Sequence, residues 1–110
     1  MTETAGRLEV IATPIGNLGD LAPRAVAALQ NASLIVAEDT RRTGQLLAHC
    51  GIARPMQSLH EHNEAERSAA IVARLCAGEK VALVSDAGTP LLSDPGLLLV
   101  RAAVAAGIPV

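Results

Sequence analysis

The chain has 110 residues, half of them apolar, with 9 Lys and Arg against 11 Asp and Glu for a net charge of −2. That balance fits a folded domain able to bury a core and argues against a disordered tail. Phe, Tyr and Trp do not occur, which excludes the base-stacking platforms of many single-strand nucleic-acid binders. The slightly acidic balance argues against a free-standing nucleic-acid module, which normally carries a basic patch. No apolar run reaches the roughly 18 residues of a membrane span, and the first residues lack a basic stretch followed by an apolar block. Cys50 and Cys76 are too few for a disulfide framework and form no C-x-x-C pair. A cytoplasmic setting is expected.

In chain order, residues 1–7 read as a disordered N-terminal tail ahead of one domain over 8–110. Leu8 to Thr13 is a β-branched run ended by Pro14 and reads as a strand. After the turn-rich Pro14 to Asp20, Ala25, Val26, Leu29 and Ala32 repeat at helical spacing over 22–32, with Asp20 as the expected cap and Pro23 in the first turn. Leu34 to Ala37 reads as a second strand running into Glu38, Asp39 and Thr40. Thr40 is the expected cap of a helix that carries Leu46, Leu47 and Cys50 and stops at Gly51. A weaker strand, Met56 to Leu59, precedes His60 to Asn63. Asn63 and Glu66 have the spacing of a capping box for a helix bearing Ile71, Val72 and Leu75 and ending at Gly78. Lys80 to Val84 reads as a fourth strand followed by the loop Ser85 to Pro90. Asp94 and Pro95 open a last helix that closes at Gly107, and Ile108 to Val110 begins a fifth strand.

Strands alternating with helices of about a dozen residues imply an α/β fold, a mainly parallel five-stranded open sheet with helices on both faces. An open sheet that stops within a strand reads as part of a longer protein. In such sheets ligands bind beyond the carboxyl ends of the strands. Each polar cluster falls at one of these ends: 14–20, 38–42, 60–64 and 85–90. The first lacks the G-x-G-x-x-G dinucleotide fingerprint and the last lacks the Gly-Lys-Ser/Thr ending of a P-loop.

Glu38 and Asp39 read either as acidic residues favouring a helix N-terminus or, with Arg41 and Arg42, as a clamp for an anion or sugar. His60 and His62, read as an extended segment, point the same way and can share a ligand. A metal-dependent hydrolase using His60, His62, Asp39 and Asp86 is therefore an alternative, although no H-E-x-x-H helix or third His at ligand spacing accompanies them and no metal site is expected. A non-catalytic interaction domain is a second alternative.

Ala12 to Asp20, Ala37-Glu38-Asp39-Thr40-Arg41, His60-Glu61-His62-Asn63-Glu64, and Val84 to Pro90 with Ser93-Asp94-Pro95-Gly96 together resemble one family from about Leu8 to Val110. It is the bacterial small-subunit ribosomal RNA ribose 2′-O-methyltransferases, a branch of the tetrapyrrole (corrin/porphyrin) methylase superfamily. The resemblance implies the N-terminal one of two α/β domains, with S-adenosylmethionine in the cleft between them and a homodimer when full length. The implied substrate is a cytidine ribose in the decoding region of small-subunit (16S) rRNA, and the 110-residue chain alone is expected to be inactive. Pro14, Gly16, Ser85, Asp86, Ala87, Gly88 and Thr89 match the superfamily's cofactor loops. Glu38, Asp39, Arg41, His60, His62 and Asn63 match stretches particular to the rRNA-modifying branch; Arg41 and Asn63, with Arg42 beside the carboxylates at the strand end, are expected on the substrate side. Glu38, Asp39, His60 and His62 are the candidates for catalytic work on the ribose hydroxyl.

Overall fold

The computed structural model describes residues 6–13, 21–60, 62–86 and 96–110, with only the backbone of Thr13 and Asp86. Among these residues four strands alternate with four helices: β1 (Arg7–Thr13), α1 (Pro23–Asn31), β2 (Leu34–Ala37), α2 (Thr40–His49), β3 (Met56–Ser58), α3 (Glu64–Cys76), β4 (Lys80–Asp86) and α4 (Gly96–Ala105). The strands form one sheet in the order β1-β4-β2-β3, and every pairing is parallel.

Burial alternates along the central strands, so each face of the sheet has its own core. Leu34 and Val36 of β2 and Val81 and Leu83 of β4 join Ile71, Leu75, Leu99 and Ala103 under α3 and α4. Ile35, Ala37, Ala82 and Val84 face the other way, onto Leu29 of α1 and Leu47 of α2. A strand buried on both faces has no polar side to show, which is why β2 and β4 read as continuous apolar runs.

The expected fifth strand does not form among the described residues. Ile108 to Val110 is irregular, and its one backbone bond to the sheet is from Leu8 N–H to the Pro109 carbonyl, 3.0 Å. Proline has no N–H to return to β1, so no ladder builds from that bond. Two boundaries also shift outward. β1 begins at Arg7, whose N–H reaches the Glu79 carbonyl, and β4 continues through Ser85 and Asp86 because Ala12 and Thr13 of β1 pair with them.

Three helices end alike. Gly51, Gly78 and Gly107 have φ of 70°, 98° and 78°, the left-handed turn expected of a helix-closing glycine. The next residue's N–H then reaches back five positions, Ile52 to Leu47, Glu79 to Arg74 and Ile108 to Ala103. The start of α1 departs from expectation. α1 starts after Ala22, with Pro23 in its first turn and no side-chain cap; Asp20 lies outside the described residues, as does Asp94 ahead of α4. Gly6 is required for another reason: a Cβ there would overlap the Leu75 and Glu79 carbonyls.

Candidate active site

All four strands run the same way, so their carboxyl ends share one rim. Thr13 of β1 pairs with Asp86 of β4, Ala37 of β2 with Val84 of β4, and Ala37 with Ser58 of β3. From that rim, β1 and β2 lead into α1 and α2 on one face, whereas β3 and β4 lead into α3 and α4 on the other. In the spatial order β1-β4-β2-β3 each neighbour therefore departs to the opposite face, the arrangement that opens ligand crevices in α/β sheets. β4 outruns β2 by two residues, leaving, among the described residues, a notch above Ala37. Ser85 and Asp86 bound it on one side and the Leu59–His60 stretch on the other, and Glu38 leaves from its floor. Neighbouring strands are about 4.8 Å apart, so the notch spans roughly 10 Å.

Asp39, rather than Thr40, caps α2: its Oδ1 accepts from the Arg41 and Arg42 N–H groups at 3.1 and 3.0 Å. The carboxylate thus satisfies two of the donors that a helix start leaves unpaired. Glu38 is exposed, and its side chain makes no hydrogen bond among the described residues. Arg41 and Arg42 are exposed in the first turn of α2, where the positive end of the helix dipole disfavours cations.

The histidine segment is a turn, not the extended strip expected. His60 is half-buried and His62 exposed, and their rings meet edge to face at 5.9 Å between centroids. The expected capping box does not form either: Asn63 precedes α3 without capping it. Its side chain turns back instead, Oδ1 accepting from His60 N–H at 2.9 Å. That bond fixes the amide, so Nδ2 faces the Ser58 carbonyl at 3.4 Å and His60 Nε2 at 3.1 Å. An amide nitrogen only donates, so Nε2 must accept and the ring's proton sits on Nδ1. His60 Nδ1 is buried and has no partner among the described residues.

Arg67, which motif reading passed over, completes this group. From the second turn of α3 its Nη1 donates to the Ser58 carbonyl and, at 3.1 Å, to Ser58 Oγ. The available signal was its place four residues after Asn63, on the same helix face.

Of the residues matched to the cofactor, Ser85 and Asp86 stand on the rim at the end of the central strand β4. Pro14, Gly16, Ala87, Gly88, Thr89 and the Asp86 side chain lie outside the described residues. Among the described residues no group of three or more His, Cys, Asp or Glu is placed to hold a metal ion. A cavity of about 350 Å³ lined by Gly6, Arg7, Lys80 and Pro109 opens at the starts of the strands, at the other end of the sheet from the rim. No helix among the described residues is long and apolar enough to cross a membrane.

A doubly wound parallel sheet with polar segments gathered at its carboxyl edge defines an open-sheet α/β domain of the ligand-binding class. The family model of the tetrapyrrole (corrin/porphyrin) methylases matches residues 7–110, and the chain belongs to that family. It is similar to the ribosomal RNA small subunit methyltransferase I of Xylella fastidiosa, 64% identical over 105 residues that make up 96% of this chain and 38% of the relative. The protein of the same name from Pseudomonas aeruginosa is 55% identical over 96% of this chain and 37% of its own length. The chain thus spans little more than a third of these curated relatives. Among solved structures, uroporphyrin-III-C-methyltransferase of Thermus thermophilus superposes with a TM-score of 0.70 at 19% identity, over 96% of this chain and 45% of that one. At that identity the likeness is one of fold.

Proposed function

We propose that this chain supplies one wall of the active-site cleft of an S-adenosylmethionine-dependent methyltransferase acting on small-subunit ribosomal RNA, the acceptor being the 2′ hydroxyl of a cytidine ribose in the decoding region. The observation that carries the reading is the 64% identity, across 96% of the chain, to a relative named for methylating small-subunit rRNA. The complete protein would add a second domain as the other wall, work as a homodimer in the cytoplasm, and take the 30S subunit's RNA as its partner. This chain alone would be inactive.

The rim suits an elongated cofactor carrying an adenosine and an amino acid. The two-residue overhang of β4 beside β2 opens a notch bordered by backbone, and Ser85 and Asp86 at its edge would hold polar groups of the cofactor together with Pro14, Gly16, Ala87, Gly88 and Thr89. When bound, S-adenosylmethionine supplies an electrophilic methyl group on a sulfonium.

A ribose hydroxyl is a weak nucleophile near neutral pH, and a positioned base contributes roughly 10²–10⁴-fold. Glu38 is the base in this reading. Asp39 spends its carboxylate on the α2 cap, His60 spends Nε2 on Asn63, and His62 stands out in solvent at the turn. His60, whose Nδ1 is buried, instead shapes the wall beside the acceptor, with Asn63 setting its tautomer. Arg41 and Arg42 hold RNA phosphates, a role that accounts for Arg41 standing at a helix start where the dipole disfavours a cation.

Single-turnover methyl transfer by the complete protein tests this. Glu38→Gln should slow the step by about 10²–10⁴-fold with cofactor affinity unchanged, and a wild-type rate would remove Glu38 from the chemistry. Arg41→Ala should weaken RNA binding and lower the slope of log affinity against log salt by about 1. An unchanged slope would dismiss the phosphate contact.

A further inference from the structure

β3 is the edge strand at one end of the sheet, and its last carbonyl has no strand to bond. Ile35 N–H reaches the Pro55 carbonyl and Leu59 N–H reaches Ala37, each at 2.9 Å, so the alternate residues 55, 57 and 59 face β2. By the same alternation the Ser58 carbonyl faces away from it, along the open side of the sheet. Two side chains from the start of α3 converge there, Arg67 Nη1 and Asn63 Nδ2. The same Asn63 amide, through its other bonds, holds the His60 backbone and ring.

Ser58 is thus the fixed point from which the β3–α3 turn hangs. Arg67 grips both its carbonyl and its hydroxyl, whereas the Asn63 contact to that carbonyl is long at 3.4 Å. The amide itself is fixed by the His60 N–H on Oδ1, so Arg67 acts on the turn through Ser58 and not on the amide directly. Without the guanidinium the end of β3 keeps only the long Asn63 contact, so the turn carrying Asn63 and His60 is less firmly tied to the sheet and the Nδ2 contact to His60 Nε2 loosens with it.

We propose that Arg67 is a positioning residue: by anchoring Ser58 at the end of β3 it holds Asn63 where the amide fixes the proton of His60 on Nδ1. The catalytic consequence rests on the function proposed above; the tautomer consequence does not. Loss of the anchor leaves His60 present but exchanging between tautomers, and a shift of about 1 Å in the wall beside the reacting groups can cost about 10²-fold in rate.

The test uses the complete protein labelled with ¹⁵N-histidine. In the wild type the His60 resonances should show a protonated Nδ1 and an unprotonated Nε2. Arg67→Ala should move both toward the tautomer average and lower kcat by about 10- to 100-fold, leaving KM for S-adenosylmethionine unchanged. Arg67→Lys, which keeps one charged donor, should recover part of both effects and serves if the alanine variant does not fold. Asn63→Asp keeps the acceptor for His60 N–H and replaces the Nδ2 donor by oxygen, so it should shift the proton to Nε2. A wild-type proton on Nε2, or an Arg67 variant that is slowed while its His60 spectrum stays that of the wild type, would overturn the inference. If the wild type transfers no methyl group to small-subunit RNA while the spectra change as stated, the proposed function fails and the positioning role stands.

Discussion

Asp39 does a structural task that any short acceptor can perform, and Arg41 and Arg42 oppose it electrostatically. Asp39→Ala should cost about 1 kcal/mol through the lost cap, whereas Asp39→Asn keeps an acceptor oxygen and should leave the thermal midpoint near that of the wild type. Thermal unfolding of the two variants checks the pair, and equal losses would mean that the negative charge, not the acceptor, holds the helix start. Arg41→Glu replaces a cation by an anion at the positive end of α2 and should raise stability by at most about 1 kcal/mol. The same change should weaken binding to small-subunit RNA. Opposite signs in the melt and in the RNA titration are what a residue kept for binding predicts. At this scale, residue types in the sequence marked the polar ends of the strands but not which atom bonds which. Asn63 and Glu66 have capping-box spacing, yet the Asn63 amide is taken by His60 and Ser58, a competition visible only when the turn is folded.

Among the elements, α2 carries a correctable weakness. Gly44 lies inside the helix, where a glycine costs about 0.5–1 kcal/mol relative to alanine. A Cβ there would meet only the Met56 methyl, at 3.6 Å, an ordinary van der Waals contact. Gly44→Ala should therefore stabilise the domain by up to about 1 kcal/mol, measured by chemical denaturation, and a loss would mean that α2 sits closer to β3 than the contact implies. The elements themselves were largely legible. Continuous apolar runs marked β2 and β4, helical spacing marked Leu29, Leu47 and Leu75, and the three closing glycines stand where the left-handed turns fall. Strand ends were less so, because the length of a strand is set by its neighbour: β4 lasts through Asp86 only because β1 offers Thr13 beside it.

For the whole molecule, the cofactor cleft needs a second wall, so affinity should depend on what faces the rim. Calorimetric titration of S-adenosylmethionine should give clear binding to the complete protein and weak or undetectable binding to the 110-residue chain. Tight binding to the chain alone would place the cofactor wholly within this domain and refute the shared cleft. Alternating strands and helices, the glycine stops and the polar ends of the strands were fixed by local chemistry, because backbone propensity and burial period act within a few residues. Strand order, the notch beside β4, and the bonds joining Ser58, His60, Asn63 and Arg67 were decided only by the tertiary structure. They depend on which edges meet and which donor reaches an unpaired carbonyl first, and no spacing along one chain encodes that competition.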